Sequence, residues 1–277
     1  MMIRVVSALI LIPFVLSAIF YGGFLLCALL CLLSVFALNE FFGITSRKSA
    51  GCFKAPAFVI TALYYINVHS ASAGAATGGR VFEFSPLLVL GAVFLTLWLQ
   101  FNKRVENSIV DISVTVFAYI YIPVFLSFAF YIRSLEYGAF LLFMCIALVW
   151  AADTFAYFGG MAFGRGGKKL SPVISPKKSV IGVYFGLFFS CAAAFAFFKY
   201  SPAPHVPLWV YVLFAFTLNA FSVLGDLIES QFKRDGEVKD SSALIPGHGG
   251  VLDRIDSLLL TLPFSYYYFV LLFPKIN

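Results

Sequence analysis

Nine long apolar runs restrict this chain to a membrane fold. A helix of about 20 apolar residues crosses a bilayer, and apolar runs lie near residues 3–21, 24–42, 55–70, 86–101, 108–132, 137–159, 180–199, 207–226 and 254–273. Hydrophobic residues make up 61% of the 277 residues and charged residues 12%, whereas a soluble domain averages about 25% charged. We therefore expect an all-α polytopic membrane protein with about nine transmembrane helices. It should form a single integral-membrane domain over 1–277, with N-terminal helices in 1–101 and the helices and cytoplasmic loops that carry the site in 108–277.

Basic residues are distributed unevenly between the loops of this predicted membrane protein. With the N-terminus in the cytoplasm, 15 of the 19 Lys and Arg residues fall in cytoplasmic segments, and only Arg80, Arg133, Lys199 and Lys275 do not. Cytoplasmic loops carry an excess of positive charge, so we expect a cytoplasmic N-terminus. The net charge of +6 is then explained by membrane topology and anionic substrates. No basic run is combined with stacking aromatic residues, so a nucleic-acid partner is not expected.

Charged residues concentrate in one stretch, Asp226 to Asp256, which holds 11 of the 32 charged residues and 7 of the 13 carboxylates. Charges near lipid are expensive and tend to be kept for a function. The stretch is predicted to be a helix end, a Pro/Gly-rich loop and the start of a new helix. Two sets of residues have the spacing i, i+3, i+4 and can share a helix face: Asp226, Glu229 and Ser230, and Asp253, Asp256 and Ser257.

Two carboxylate-bearing helix faces joined by a flexible loop can hold a hard divalent cation. Mg²⁺ takes oxygen ligands and often shares them with substrate phosphates. The same stretch contains basic residues suited to phosphate oxygens, namely Lys233, Arg234, Lys239 and Arg254. The pattern therefore indicates the binding of a metal-bound polyphosphate. The alternative is a solvated loop whose charges enforce topology, with Asp253 as the N-cap of the second helix.

A second polar segment, Trp150 to Gly182, follows the sixth apolar run. Asp153 lies about two turns before the end of that run, where a carboxylate is costly without a partner. The loop after it is rich in glycine and in Lys and Arg, which together can approach and neutralise phosphates. By itself this is a weak indication of nucleotide binding, because such cytoplasmic loops are common. In the seventh run, Gly182 and Gly186 at i and i+4 predict close packing against another helix.

Two further acids lie at or within apolar runs. Glu40 ends the second run on the cytoplasmic side, where it is either an interfacial carboxylate or a site residue. Asp111 lies one turn inside the fifth run, and a polar contact with a neighbouring helix is the favoured interpretation.

Ser230 to Asp256, with the sequence S-Q-F-K-R-D-G-E-V-K-D-S-S-A-L-I-P-G-H-G-G-V-L-D-R-I-D, resembles the full signature of the phosphatidate cytidylyltransferases (CDP-diacylglycerol synthases). That family also carries an Asp-x-x-Ala-Tyr element, matched by Asp153 to Tyr157, and a Ser-Pro-Lys-Lys element, matched by Ser175 to Lys178. Two positions depart from the family pattern. Ser179 replaces the usual Thr, and Ile181 stands where Glu is usual, which removes one carboxylate from the expected site.

The resemblance implies an enzyme of the inner (cytoplasmic) membrane with its active site facing the cytoplasm. Its substrates would be CTP and phosphatidic acid, and its products CDP-diacylglycerol and pyrophosphate. The implied cofactor is Mg²⁺, alone or with a second cation. The family also implies a possible homodimer.

Residue roles follow from these motifs. We expect Asp226 and Asp253 to be the principal metal ligands, with Asp256 and Asp153 in supporting positions. Contacts with phosphates or a part in the reaction are expected for Lys177, Lys178, Lys233, Arg234, Lys239, Asp240, Arg254 and His248. For His248, which lies between glycines, a hydrogen bond that braces the loop is the alternative. Substrate binding is also expected for Ser175, Gly249 and Gly250, since glycine permits close approach of the backbone.

Two other functions are compatible with parts of this pattern. A polytopic lipid kinase would also use Mg²⁺ and a nucleoside triphosphate, but would release a nucleoside diphosphate; the intact H-G-G-V-L-D-R-I-D segment argues for nucleotidyl transfer instead. A transporter would place polar residues near the bilayer midplane, often in repeated halves. Here the acids gather at predicted cytoplasmic helix ends and no repeat is evident.

Overall fold

A helix lies at each of the nine predicted apolar runs. The computed structural model describes residues 2–46, 53–76, 84–101, 105–164, 166–203, 206–245 and 249–273. The helices are α1 (Met2–Tyr21), α2 (Gly23–Thr45), α3 (Lys54–Ala76), α4 (Ser85–Phe101), α5 (Ser108–Tyr119), α6 (Phe125–Ser134), α7 (Gly138–Phe163), α8 (Val180–Lys199), α9 (Leu208–Asp235) and α10 (Leu252–Leu272). A π-helical turn, Ile120–Val124, joins α5 to α6, so the fifth run forms one interrupted helix.

Six helical stretches in the described ranges are long and apolar enough to cross a membrane: Gly23–Thr45, Ser108–Ser134, Gly138–Phe163, Val180–Lys199, Leu208–Asp235 and Leu252–Leu272. Leu11–Tyr21 and Ser85–Phe101 are shorter apolar helices. The chain is therefore an all-α polytopic membrane protein, as predicted. The total of nine spans and the cytoplasmic N-terminus stay predictions.

The chain divides into two compact units. The first consists of Met1–Phe130 with Asp235–Arg254, and the second of Tyr131–Arg234 with Ile255–Asn277. The prediction of a single domain over 1–277 stays a prediction.

In the first unit, α2 packs against α3 and against the π-helical turn. Pro123 in this turn has no backbone N–H, which favours an interruption of the regular helix. Its carbonyl oxygen accepts a hydrogen bond of 3.0 Å from the buried Tyr65 hydroxyl of α3, and that hydroxyl lies 3.0 Å from Ser34 Oγ of α2. These contacts hold the middle of α2 in a defined position beside α3 and the π-helical turn.

In the second unit, α7 and α8 make the most extensive helix contact. A Cβ at Gly182 would lie 2.6 Å from the Ala156 carbonyl oxygen, and one at Gly186 would lie 2.6 Å from the Ala152 carbonyl oxygen. Both distances are far below ordinary contact, so only glycine permits the two helices to come this close. The predicted glycine face of the seventh run is therefore confirmed.

A short β-hairpin precedes α8 and was not predicted. Its strands, β1 (Lys169–Ser171) and β2 (Ser175–Ser179), pair antiparallel, with Lys169 opposite Ser179 and Ser171 opposite Ser175. Pro172 and Pro176 lie in and beside its turn, and proline is uncommon inside strands. The hairpin contains the Ser-Pro-Lys-Lys element and places it directly before the N-terminus of α8.

Candidate active site

Asp226 lies on α9 in the second unit and forms an ion pair with Lys178 of β2. The Lys178 side chain is 26% exposed and that of Asp226 is 28% exposed, so the pair is only partly solvated. Ser230, one turn further along α9, donates a hydrogen bond of 3.2 Å to Asp226 Oδ1. The pairing therefore joins two motifs that are 48 positions apart in the chain.

Asp256 on α10 belongs to the same group of charges. A Cβ at Gly225 would lie 2.6 Å from the Asp256 carbonyl oxygen, so glycine is needed for this close approach of α9 to α10 in the second unit. The charges of Asp226, Asp153 and Lys178 all act on the Asp256 carboxyl group. We call Asp153, Lys178, Asp226 and Asp256 the Asp226 cluster.

The hairpin is fixed at both ends, and this positions Lys178. At its C-terminal end, the Ser179 hydroxyl accepts a hydrogen bond of 3.1 Å from the Gly182 N–H and so caps α8. At its turn, Arg234 Nε donates to the Ile174 carbonyl oxygen over 3.3 Å. Arg234, predicted to contact phosphate, therefore also connects the end of α9 to the hairpin.

Lys233 makes an ion pair with Glu229, four residues earlier on α9. The Glu229 side chain is fully buried and that of Lys233 is 12% exposed, so the ammonium group neutralises a carboxylate that would otherwise be costly to bury. The ion pair between Lys233 and Glu229 therefore helps to hold the C-terminal end of α9. The predicted phosphate contact of Lys233 stays a prediction.

The first unit contains a second group of polar contacts, centred on Glu40 of α2. Glu40 is only 5% exposed, and its carboxylate accepts four hydrogen bonds. Oε1 accepts from Ser242 Oγ at 2.6 Å and the Val251 N–H at 2.9 Å; Oε2 accepts from Ser241 Oγ at 2.8 Å and the Leu252 N–H at 2.8 Å. Val251 and Leu252 lie at the start of α10, where N–H groups lack helical partners. Glu40 therefore supplies acceptors and a negative charge at this helix end.

Asp253 lies next to Glu40 in this group. Its Oδ2 accepts hydrogen bonds from the Ser241 N–H at 3.1 Å, from Ser241 Oγ at 2.9 Å and from the Gly250 N–H at 2.8 Å. We call Glu40, Ser241, Ser242, Gly250 and Asp253 the Glu40 cluster. Asp253 thus braces the loop before α10. It is not the N-cap of the alternative interpretation, because α10 begins one residue earlier, at Leu252. Its predicted role as a metal ligand stays a prediction.

Both glycines of this loop are required by the protein's own structure, one by its backbone conformation and the other by its contacts. Gly249 has φ +81°, in the left-handed region that favours glycine. A Cβ at Gly250 would overlap Ser241 Oγ and Glu40 Oε2. Their predicted approach to substrate phosphate stays a prediction, because the close backbone approach seen here is to the protein's own carboxylates.

The remaining predicted residues lie in neither cluster. Lys177, Lys239, Asp240 and Arg254 are exposed, and Ser175 is partly buried at the start of β2. His248 lies outside the described residues. The predicted helix arrangement is confirmed, because α9 ends at Asp235 and α10 begins at Leu252, so Asp253 and Asp256 are three residues apart on one helix.

The Asp226 cluster has the chemistry to bind a divalent cation. Asp226 already holds the ammonium group of Lys178, so this position favours positive charge. Among the described ranges, no three acid, imidazole or thiol groups converge closely enough to hold a metal by themselves. Mg²⁺ is commonly bound by one or two carboxylates, with water and substrate phosphates as its other ligands. The residues present fit that mode of binding.

The sequence left two interpretations of Glu40 open, an interfacial carboxylate and a site residue. Its burial and its hydrogen bonds favour the second interpretation. It is the one charged residue of α2, and a lone acid in an apolar helix is itself a signal of function. The donors that bind it lie more than 200 positions later in the chain, and no local pattern connects them. Ser241 and Ser242 were not singled out, although both lie inside the signature segment.

Comparison with known proteins gives a match along almost the whole chain. The Cytidylyltransferase family matches residues 2–272. The phosphatidate cytidylyltransferase of Haemophilus influenzae is 50% identical over 146 residues, which are 51% of this chain and 50% of that protein. That of Bacillus subtilis is 37% identical over 185 residues, 65% of this chain and 66% of that protein. That of Staphylococcus epidermidis is 30% identical over 263 residues, 95% of this chain and 96% of that protein. The chain thus matches about half the length of the first of these relatives and nearly all of the third.

Proposed function

Because the chain belongs to the cytidylyltransferase family, we propose that it is a CTP:phosphatidate cytidylyltransferase of phospholipid biosynthesis. The three relatives carry this activity in their names. The observation that carries the proposal is the ion pair between Lys178 and Asp226. It joins the Ser-Pro-Lys-Lys element to the charged stretch, and both motifs are expected to handle the triphosphate.

In the proposed reaction, a phosphate oxygen of phosphatidic acid attacks the α-phosphorus of CTP. A new P–O bond forms, the bond between the α-phosphorus and the bridging oxygen breaks, and pyrophosphate leaves with the electron pair. The attacking phosphate is already an anion at neutral pH, so the reaction needs no strong general base. It needs positioning and neutralisation of charge.

The chain's own residues meet these needs as follows. Asp226 and Asp253 are proposed metal ligands, and a bound Mg²⁺ would supply charge neutralisation at the triphosphate. With cation and nucleotide present, Lys178 would turn from Asp226 to a phosphate oxygen, because the cation can neutralise Asp226 in its place and the phosphate offers the ammonium group another negative partner. The other proposed phosphate contacts are Lys177, Lys233, Arg234, Lys239, Arg254 and His248. Asp153 and Asp256 would hold the surrounding charges in place.

The protein is proposed to lie in the inner membrane with nine spans, a cytoplasmic N-terminus and a site open to the cytoplasm. The uneven distribution of Lys and Arg supports this orientation, and cytoplasmic CTP would then reach the site directly. A homodimer, without a nucleic-acid partner, is the proposed assembly. Cysteine-accessibility labelling of introduced loop cysteines would test the orientation.

The activity is tested by incubating detergent-purified protein with phosphatidic acid, Mg²⁺ and CTP labelled at the α-phosphate. The expected result is transfer of the label to lipid with release of pyrophosphate, and loss of both when the metal is chelated. Release of a nucleoside diphosphate with phosphorylated lipid would instead identify a lipid kinase. Absence of any labelled lipid at every substrate ratio would overturn the proposed function.

The proposed metal ligands are tested by Asp226→Asn and Asp253→Asn. Each change removes a negative charge and keeps the size of the side chain, so turnover should fall about 10²-fold or more while the protein still inserts and purifies. The Mg²⁺ concentration for half-maximal activity should rise in any variant with measurable turnover. Near-normal turnover and an unchanged Mg²⁺ requirement in both variants would remove these residues from metal binding.

A further inference from the structure

Glu40 has no part in the proposed chemistry, yet its carboxylate is among the most completely hydrogen-bonded polar groups of the first unit. An ionised carboxylate has about four acceptor positions, and four donors lie within hydrogen-bond distance of Glu40, two hydroxyl groups and two backbone N–H groups, of which the Ser241 hydroxyl is shared with Asp253. It is 5% exposed and lies at the end of an otherwise uncharged helix. A carboxylate that served only as an interfacial charge would not be buried in this way.

The contacts of Glu40 all go to the segment that carries Asp253. Two of them hold the N–H groups of Val251 and Leu252 at the start of α10, and the other two hold the Ser241 and Ser242 hydroxyl groups. The start of α10 and the residues after Asp240 are therefore both fixed to α2. Without Glu40, the Ser242 hydroxyl and the N–H groups of Val251 and Leu252 would lose this acceptor. The Ser241 hydroxyl would keep Asp253 as its acceptor.

Ser241 connects Glu40 to Asp253. Its hydroxyl oxygen lies 2.8 Å from Glu40 Oε2 and 2.9 Å from Asp253 Oδ2. A hydroxyl has one hydrogen to donate, so Ser241 serves only one of the two carboxylates at a time. Its backbone N–H also donates to Asp253 Oδ2, over 3.1 Å. The position of the Ser241 side chain between the two acids therefore links the orientation of Asp253 to the presence of Glu40.

We propose that Glu40 is a positioning residue for nucleotidyl transfer: it fixes the first turn of α10 and Ser241, and through them the carboxylate of Asp253. The proposal rests on the proposed function and on Asp253 as a participant in it. Glu40 itself touches no substrate. Its contribution is to reduce the number of orientations that Asp253 can adopt, which is the kind of preorganisation on which reactions that depend on positioning rely.

The test replaces Glu40 by Gln, which keeps the size of the side chain but offers one acceptor oxygen and an NH₂ group to four donors. We expect kcat to fall about 10- to 100-fold, the range for a catalytic group displaced by a fraction of an ångström to an ångström. The KM for CTP should change less than about threefold, because the group acts on the reacting geometry and not on uniform binding. Glu40→Asp keeps the charge with a shorter reach and should recover part of kcat. Glu106→Gln, which neutralises an exposed carboxylate of the same unit, is the control and should leave kcat unchanged.

A matched pair of serine variants separates positioning from general support of the fold. Ser241→Ala removes a hydroxyl that touches both carboxylates, whereas Ser242→Ala removes one that contacts Glu40 without contacting Asp253. Ser241→Ala should therefore lower kcat more than Ser242→Ala. The double variant Glu40→Gln/Ser241→Ala should be no slower than the slower single variant, because both changes act on the same carboxylate.

Each outcome decides the proposal. If wild-type protein forms no CDP-diacylglycerol, the proposed function fails, and this inference fails with it. If wild-type protein is active but Glu40→Gln retains its kcat per folded molecule, Glu40 is structural only and the inference alone is overturned. Multiplicative losses in the double variant would overturn it as well. If Glu40→Gln does not fold, the serine pair decides, since equal kcat values for Ser241→Ala and Ser242→Ala contradict the route through Ser241.

Discussion

Gly250→Ala is the substitution whose effect can be worked out most directly from the geometry of the Glu40 cluster. Gly250 is buried and its backbone does not lie in the left-handed region, so alanine meets no backbone strain there. Its Cβ would overlap Ser241 Oγ and Glu40 Oε2. The added methyl group must therefore push apart the side chains that bind Asp253, or the loop must move away from α2.

Either movement breaks hydrogen bonds to ionised acceptors. Those at risk are the Gly250 N–H bond to Asp253 Oδ2 at 2.8 Å and the Ser241 Oγ contacts at 2.8 and 2.9 Å, of which one is made at a time. A hydrogen bond to a charged group contributes about 1.5–3 kcal/mol, and overpacking costs about 1–3 kcal/mol. Because the structure relaxes and the contacts are coupled, we expect Gly250→Ala to lower the free energy of unfolding by about 3 kcal/mol.

Gly91→Ala is the matched control. Gly91 lies on α4 and is exposed, and a Cβ added there would have no heavy atom of another residue within 4 Å outside its own stretch of helix. Alanine is favoured over glycine inside a helix by about 0.5–1 kcal/mol, so this variant should be as stable as the wild type or slightly more stable. Thermal unfolding of the two detergent-purified variants, followed by loss of the monodisperse peak on size exclusion, compares them directly. Equal melting temperatures for Gly250→Ala and Gly91→Ala would refute the reasoning, because they would show that the Glu40 cluster is not closely packed.

Two further predictions concern the second unit. Lys178→Met removes the partner of Asp226 and a proposed phosphate contact, so kcat in the labelled-CTP assay should fall about 10²-fold or more. Lys199→Met, at the other end of α8, is the control and should leave kcat unchanged. Similar kcat values for the two variants would contradict a role for Lys178. Gly186→Ala would place a Cβ 2.6 Å from the Ala152 carbonyl oxygen, and the forced separation of α7 and α8 should cost about 1–3 kcal/mol. A melting temperature for Gly186→Ala at or above that of Gly91→Ala would show that α8 can shift at no cost.

The helices were predictable because the signals for them are local. The seventh run was predicted over 180–199, and α8 is Val180–Lys199, since a continuous apolar run bounded by polar residues has few other solutions in a membrane. The glycine spacing at Gly182 and Gly186 predicted the close face of α8 for the same reason. The hairpin before α8 was missed because its strands are only 3 and 5 residues long and β2 contains Pro176, so no alternation of polar and apolar residues is visible.

The charged stretch was predictable in outline but not in its contacts. Asp226, Asp253 and Asp256 were identified from spacing and from the family resemblance, and their helices are confirmed. The pairing of Lys178 with Asp226 could not be obtained from either motif alone, because the two residues are 48 positions apart and no carboxylate lies between Asp153 and Asp226 in the sequence. Similarly, the ion pair of Lys233 with Glu229, one turn away on α9, was not predicted, and the phosphate contact of Lys233 stays a prediction.

The amino-acid sequence by itself determined that this protein is a bundle of membrane helices, which family it resembles, and which stretch carries its charges. These properties depend on composition, on periodicity over a few turns and on residue identity at fixed spacings, all of which can be read along the chain. Only the tertiary structure decided that Glu40 binds Val251 and Leu252, which are 211 and 212 positions away, and that Lys178 meets Asp226. A buried carboxylate must find donors within about 3 Å, and which donors come that close depends on how distant helices pack, which no local pattern records.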